Sequence, residues 1–212
     1  MIAVASMFAD HAGAIFDLHD GFRVVGRLAF PLFVYLIAEG CHYTKRMDKY
    51  ILRLGIFALV SEVPFDLAFN QYVDFFNVTN IFYTLWLGVV CVYVFKLLCG
   101  KKYLWILSLV VVVIAMLAAD WISSDYGSIG VLFIFLTAVS RNIIKSVQLG
   151  VIALFMFLLY FPAWDMLLAS LIAVPIVAFA SGERGWGAKW LFYAAYPTHL
   201  LIFTLYGTMR GY

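Results

Sequence analysis

The chain has 212 residues, of which 66% are hydrophobic and only 12% charged, and its formal net charge at pH 7 is +2. A soluble domain is about half apolar and about a quarter charged, so this composition indicates a polytopic membrane protein and excludes an ordinary soluble enzyme. The basic residues are too dispersed for a nucleic-acid-binding surface, and the 3 scattered cysteines lack the spacing of a disulfide framework or a metal site.

Successive apolar runs with short connections predict about nine membrane-spanning helices. The runs cover residues 2–18, 24–40, 50–68, 78–98, 103–119, 127–140, 143–161, 164–180 and 190–208. The run at 127–140 is short for a full crossing and could be tilted, re-entrant or extended. The first run lacks a basic leader and contains an acid, so we expect it to be retained rather than removed as a signal. The predicted fold is one all-α transmembrane bundle over residues 1–212.

The connections between these runs alternate in charge. Every second connection is basic, and together these connections hold 11 of the 14 Lys and Arg residues, whereas the others are rich in Asp. Under the positive-inside rule this alternation predicts a multi-pass protein of the bacterial cytoplasmic (inner) membrane, with its amino terminus in the cytoplasm and its carboxyl terminus outside.

The second run carries charges that need partners. Arg23 and Arg27 are four residues apart, on one face of a helix, and Glu39 lies at the far end of the run. A guanidinium in hydrocarbon costs at least about 2.5–3.5 kcal/mol, so it persists only beside a carboxylate, an anion or water. The candidate partners lie in the neighbouring runs: Asp10 and His11 before it, and Glu62 and Asp66 after it.

With the predicted orientation, the buried polar groups share one layer between the middle of the membrane and its outer face. His11 and His199 fall near mid-depth in the first and last runs, and Arg27 and Glu62 lie nearby. The outer connections add Asn80, Asp120 and Asp125, and Pro31, Pro64 and Pro197 each free a backbone carbonyl within a run. This layer predicts a polar chamber that opens toward the outer face.

Several of these features also have structural interpretations. The arginines and carboxylates could form an ion-pair network that only fixes helix packing. The basic stretch at 42–53 could serve topology alone or form a phosphate-binding mouth for a cytosolic nucleotide-like donor. Tyr193 and Tyr196 are typical of core and interface residues.

Six stretches resemble the TraX family of integral membrane proteins, named for a conjugative-plasmid protein that acetylates the amino terminus of F-pilin. They read MFADHAGAIF, FRVVGRLAFPLFVYLIAEG, KYILRLGIFALVSEVPFDLAF, TNIFYTLWLG, AADWISSDYGSIGVLFI and FYAAYPTHLLIF. The resemblance runs from Val4 to Tyr206. The closing YPTHL and the buried His of the first run also look distantly like membrane-bound sugar acyltransferases. The chain departs from the family pattern at Thr198, where a bulkier apolar residue is commoner, and in lacking a basic residue before the first run; these differences concern substrate or topology more than chemistry.

The resemblance implies transfer of acetyl from acetyl-CoA to an amine on a membrane or exported acceptor, such as a pilin-like peptide or a sugar, with no metal. The residues fit this reaction: His11 or His199 can serve as the general base, or one of them as an acetylated nucleophile, and Asp10 could orient an imidazole or a group on another helix. An arginine or amide donor such as Arg27 or Asn80 could stabilise the oxyanion. The substrate-binding candidates are Arg27, Arg23, Glu39, Glu62, Asp66, Asn80, Asp125 and Tyr196, and the donor-binding candidates are Lys45, Arg46 and Arg53.

Two interpretations from other functional classes stay open on the residues alone. Intramembrane Asp, Glu and His suit a proton-coupled small-molecule transporter, although the sequence has no internal repeat. The second interpretation is a non-catalytic membrane assembly factor, but this interpretation does not explain why so many charged residues lie in the apolar runs. Donor hydrolysis or acetyl labelling distinguishes the enzyme from gradient-dependent uptake by a transporter.

Overall fold

A computed structural model describes residues 1–70, 79–141, 143–180 and 189–210. Within these ranges every regular element is a helix, so the predicted all-α class is confirmed. The helices are α1 (Ile2–Ile15), α2 (Gly21–Gly26), α3 (Ala29–Tyr43), α4 (Met47–Phe69), α5 (Ile81–Leu98), α6 (Leu104–Trp121), α7 (Gly127–Ser140), α8 (Lys145–Tyr160), α9 (Trp164–Leu171), α10 (Ala173–Ala178) and α11 (Lys189–Arg210).

Two of the predicted runs are interrupted helices. Arg27 and Leu28 separate α2 from α3 but keep right-handed helical dihedrals, and Ile172 separates α9 from α10 in the same way. With each pair joined, the described helices correspond to the predicted apolar runs within a few residues. By contrast, α4 and α11 continue through Pro64 and Pro197, so the irregular backbone lies at residues 27–28 rather than at these two prolines.

Three described helical stretches are long and apolar enough to cross a membrane: Gly21–Tyr43, Ile81–Leu98 and Leu104–Trp121. The apolar helices Ile2–Ile15, Gly127–Ser140, Lys145–Tyr160 and Trp164–Ala178 are shorter. Most of the surface of α6 is apolar and exposed, as for Leu107, Val113 and Leu117, which are 51%, 54% and 65% exposed. Such a face suits contact with lipid chains, since water would disfavour it.

Helices α3, α5 and α7 form the centre of the bundle and run in the same direction. Their first residues meet around one cavity, which Ala29, Ile81 and Tyr126 all line. Their last turns also meet, where Lys96 Nζ donates to the Cys41 carbonyl and Arg141 bonds Glu39. The bundle therefore has a cavity end, where these three helices begin, and a basic end, where they finish.

Candidate functional site

A cavity of about 70 Å³ lies at the cavity end, with α1 and α11 along its sides. One water molecule needs a cavity volume of at least about 10–15 Å³. The cavity therefore has room for on the order of five waters or a small acyl group. Its walls are mostly aromatic or aliphatic, with a few polar groups, as in most small-molecule sites. The lining residues are Met7, Asp10, His11, Gly26, Ala29, Phe30, Phe33, Ile81, Phe82, Leu85, Asp125, Tyr126, Phe192 and Tyr196.

The two predicted histidines are in direct contact. His11 Nδ1 lies 2.6 Å from His199 Nε2, and the two rings are inclined by only 13°. On its other side His199 Nδ1 lies 2.7 Å from the Ala195 carbonyl oxygen, one turn earlier in α11. Phe8 stacks on His199 at 4.4 Å, and His199 is only 3% exposed. The prediction that both histidines share one layer is confirmed, but of the two only His11 lines the cavity.

Asp10 is the partner of both arginines. Its Oδ1 accepts from Arg27 at 2.5 Å and from Arg23 at 3.0 Å. Gly26 makes this contact possible, because a Cβ at that position would overlap the Asp10 carboxylate. The expectation that Asp10 orients an imidazole is wrong. Neighbouring residues point about 100° apart on a helix, so Asp10 faces α2 while His11 faces α11.

Glu62 and Asp66 occupy a different place from the one predicted. Glu62 accepts from the Asn80 side chain and, at 3.0 Å, from the Thr79 amide, and Asp66 accepts from Asn70 at 2.9 Å. Asn80 also caps α5 by accepting from Phe82 N at 2.9 Å. Neither carboxylate pairs with Arg23 or Arg27, nor is either among the cavity-lining residues. The Glu62–Asn80 contact fixes the start of α5 against the second half of α4.

The connection between α6 and α7 delivers Asp125 to the cavity. The Asp125 amide donates to the Thr79 carbonyl at 3.1 Å, and the Thr84 hydroxyl donates to the Asp125 carbonyl. The next residue, Tyr126, has a φ of +61°, a left-handed conformation that is costly outside glycine. These bonds hold a strained turn in place, and the turn points Asp125 into the cavity.

Tyr126 and Tyr160 are site residues that the sequence analysis missed. Tyr126 stacks on Phe30 with ring centroids 3.6 Å apart, and its hydroxyl lies 3.3 Å from that of Tyr160. The Arg27 guanidinium lies 5.9 Å from the centre of the Tyr160 ring. The DYG sequence was the one available signal for Tyr126, whereas Tyr160 ends an unremarkable apolar run.

Asp125 is accessible to solvent, but protein atoms surround it on the cavity wall. The surrounding protein atoms desolvate the Asp125 carboxyl and raise its pKa from 3.8 to about 6. The folded protein therefore binds this proton more tightly than the unfolded chain, and the resulting stabilisation is complete below about pH 4 and lost as the pH rises through about 6. At neutral pH Asp125 is a carboxylate that can pair with a cation.

This pKa gives a prediction for Asp125→Asn. The melting temperature of the wild type in detergent should fall relative to that of the variant as the pH rises from 4 to about 7. The reason is that residue 125 loses a proton in the wild type, whereas the asparagine of the variant has none to lose. Asp165→Asn, at an exposed position in the first turn of α9, serves as the control and should track the wild type. A constant difference between Asp125→Asn and wild type across this range would contradict the assignment.

Glu39 lies at the basic end and not at the cavity. Its carboxylate receives two bonds from Arg141, at 2.8 and 3.2 Å, and Arg141 also contacts the Tyr43 hydroxyl at 3.2 Å. Twelve residues of helix separate Glu39 from Arg27, a distance of roughly 18 Å. Its predicted position in the same site as Arg27 is therefore wrong.

The predicted donor-binding residues lie at the basic end but do not form one cluster. Arg46 makes two bonds to Asp48, at 2.8 and 3.1 Å, and both side chains are exposed. Lys45 is exposed beside it, whereas Arg53 is partly buried with its guanidinium 6.0 Å from the Tyr50 ring. Binding of a nucleotide-like donor by these residues stays a prediction.

Comparisons with known proteins agree with the resemblance seen in the sequence. The family model described as TraX protein matches residues 1–206. A curated relative, named probable fimbrial assembly protein FimC, serogroup H1, from Dichelobacter nodosus, is 31% identical over 102 residues, which cover 42% of this chain and 41% of the relative. The chain thus spans about two fifths of that relative's length, and no solved structure matches. Because the family match covers nearly the whole chain, the protein belongs to the TraX family.

Proposed function

We propose that the protein is a membrane-embedded acyltransferase that moves acetyl from acetyl-CoA to an amine of a membrane or exported acceptor. The observation that carries this proposal is the His11 ring, which lines an aromatic cavity beside Asp125 and is backed by His199. An amine acceptor arrives as an ammonium ion, which a carboxylate attracts and a neutral imidazole can deprotonate. The cavity offers both groups.

The transfer balances with the groups present. The ammonium gives one proton to an imidazole, and the free amine attacks the thioester carbonyl, so that an N–C bond forms. The C–S bond then breaks, the leaving thiolate takes the proton from the imidazolium, and the new amide releases the second amine proton to solvent. Charge develops on the carbonyl oxygen during attack, and we propose that Arg27 and Arg23, which bond the cavity-lining Asp10, supply the positive charge that stabilises it.

The proposed topology has nine crossings of the bacterial inner membrane, with the amino terminus inside. The cavity end then faces outward and the basic end faces the cytoplasm, where acetyl-CoA is found. Lys45, Arg46 and Arg53 are suited to the nucleotide phosphates of the donor, whose acyl arm must extend along α3 to the cavity. The acceptor, a pilin-like peptide or a sugar amine, approaches from the outer side.

Cysteine labelling tests this orientation. Cys41 and Cys91 are buried and Cys99, which follows α5, is exposed, so the wild type carries its own reporter for the basic end. We expect a membrane-impermeant maleimide to label Cys99 only after permeabilisation. In a Cys99→Ser background, Ser123→Cys, in the exposed turn before α7, should label in intact cells. Labelling with the reverse sidedness would overturn the orientation.

The name of the relative, a fimbrial assembly protein, favours a second candidate, an assembly factor without catalysis. Incubating the purified protein with carbon-labelled acetyl-CoA distinguishes an acyltransferase from an assembly factor. The acyltransferase should hydrolyse the donor slowly or carry label, and it should transfer label to proteins in membranes from cells that lack the gene. An assembly factor should do neither, yet fimbriae should be lost on deletion of the gene.

A further inference from the structure

The two histidine rings have four nitrogens between them. The hydrogen-bond partners of these nitrogens determine which of them carry a proton. The Ala195 carbonyl oxygen can only accept, so the hydrogen of that 2.7 Å bond belongs to His199 Nδ1. In the neutral ring His199 Nε2 then carries a lone pair. The 2.6 Å separation from His11 Nδ1 leaves room for a single hydrogen, which His11 must donate.

From this geometry, and on the basis of the proposed function, we infer that His11 Nε2 is the base of the reaction and that His199 is a positioning residue. With its proton on Nδ1, His11 holds its lone pair on Nε2, the nitrogen left to the cavity that its ring lines. This is the less common tautomer of a free imidazole side chain, so a partner is needed to select it.

His199 has no nitrogen left for chemistry. Its Nδ1 is bonded to Ala195 and its Nε2 to His11, and the ring is 3% exposed. Phe8 stacks on one face and Phe203 meets the ring at 90°, so the imidazole is held in this orientation. An acetyl-histidine intermediate, the alternative mechanism, could form only on His11 Nε2.

The hydrogen bond between the two rings also lets His199 share the proton that His11 takes from the acceptor. When His11 Nε2 takes the acceptor's proton, His11 becomes an imidazolium whose Nδ1 hydrogen is shared with His199 Nε2. The positive charge is thereby spread over two rings, and the Ala195 carbonyl dipole points at the far one. His199 thus orients the His11 imidazole and stabilises its protonated form by accepting a hydrogen bond from His11 Nδ1.

Nitrogen NMR tests the pairing without any acyl donor or acceptor. The chain has only 4 histidines, so ring-¹⁵N-labelled protein in nanodiscs gives a simple spectrum, assigned with His11→Gln and His199→Gln. Near pH 8 we expect both His11 and His199 to carry their proton on Nδ1. A proton on His11 Nε2 in the wild type would overturn the inference, whatever the protein's activity.

A pair of variants then separates positioning from a merely structural role. His199→Gln keeps an oxygen that can accept from His11 Nδ1, whereas His199→Leu does not. We expect His199→Leu to shift the His11 proton to Nε2 and to lower acyl transfer by about 100-fold or more, with His199→Gln retaining both the tautomer and part of the activity. Equal losses in the two variants with the His11 tautomer unchanged would refute the positioning role. If wild-type protein transfers no acetyl but shows the expected spectrum, the proposed function fails and the pairing stands.

Discussion

His11→Gln is expected to lower acyl transfer by at least about 100-fold while leaving the protein folded. Glutamine can still donate to His199 Nε2 from its amide, so the packing of α1 against α11 is preserved. It has no nitrogen lone pair with which to deprotonate an ammonium. The measurement is transfer of labelled acetyl by reconstituted protein, with the melting temperature recorded on the same samples.

The matched control for His11→Gln is His42→Gln, because His42 is exposed near the end of α3, far from the cavity. It should retain wild-type activity. Activity of His11→Gln within a few-fold of wild type would exclude His11 as the base.

The second large effect is on stability and concerns Asp10→Asn. This change leaves Arg27, whose side chain is only 14% exposed, and Arg23 without the carboxylate that they share. Breaking a buried ion pair costs about 3–5 kcal/mol, and partial exposure of Arg23 places the expected loss near the lower end. Thermal unfolding in detergent measures it, and Asp17→Asn, at an exposed position after α1, is the control.

Arg27→Met provides an internal comparison for the same network. Arg23 remains 3.0 Å from the Asp10 carboxylate in that variant, so the loss of stability should be smaller than for Asp10→Asn, which removes the partner of both arginines. If Arg27→Met were the more destabilising change, Arg23 would contribute little and the network would be a single pair.

The sequence predicted the position of each residue along its helix better than it predicted which helices are neighbours. Hydrophobic runs and alternating loop charge locate each helix and give each residue a depth, which placed His11 beside His199 and offered Asp10 as a partner for Arg27. Depth does not say which helices are neighbours. Glu62 therefore looked like a partner for Arg27, although it faces α5 and bonds Asn80.

Contacts between distant segments account for the other errors. Glu39 was grouped with Arg27 as a substrate-binding candidate, although its partner, Arg141, follows it by 102 positions at the basic end. Tyr126 reaches the cavity because a left-handed turn precedes α7; the DYG sequence suggests a turn there but does not say where the Tyr126 ring points. Asp10 was a candidate partner both for the arginines and for an imidazole, and depth alone could not choose between them; its carboxylate bonds Arg23 and Arg27.

The most direct test of the central claim follows labelled acetyl groups in one experiment. Wild-type, His11→Gln and His42→Gln proteins, reconstituted in vesicles, are mixed with carbon-labelled acetyl-CoA and membranes from cells that lack the gene, and acetylated amines are identified by mass spectrometry. The account predicts that wild type and His42→Gln acetylate the same membrane amines and that His11→Gln acetylates none above background. Acetylation by all three proteins, or by none, would contradict it.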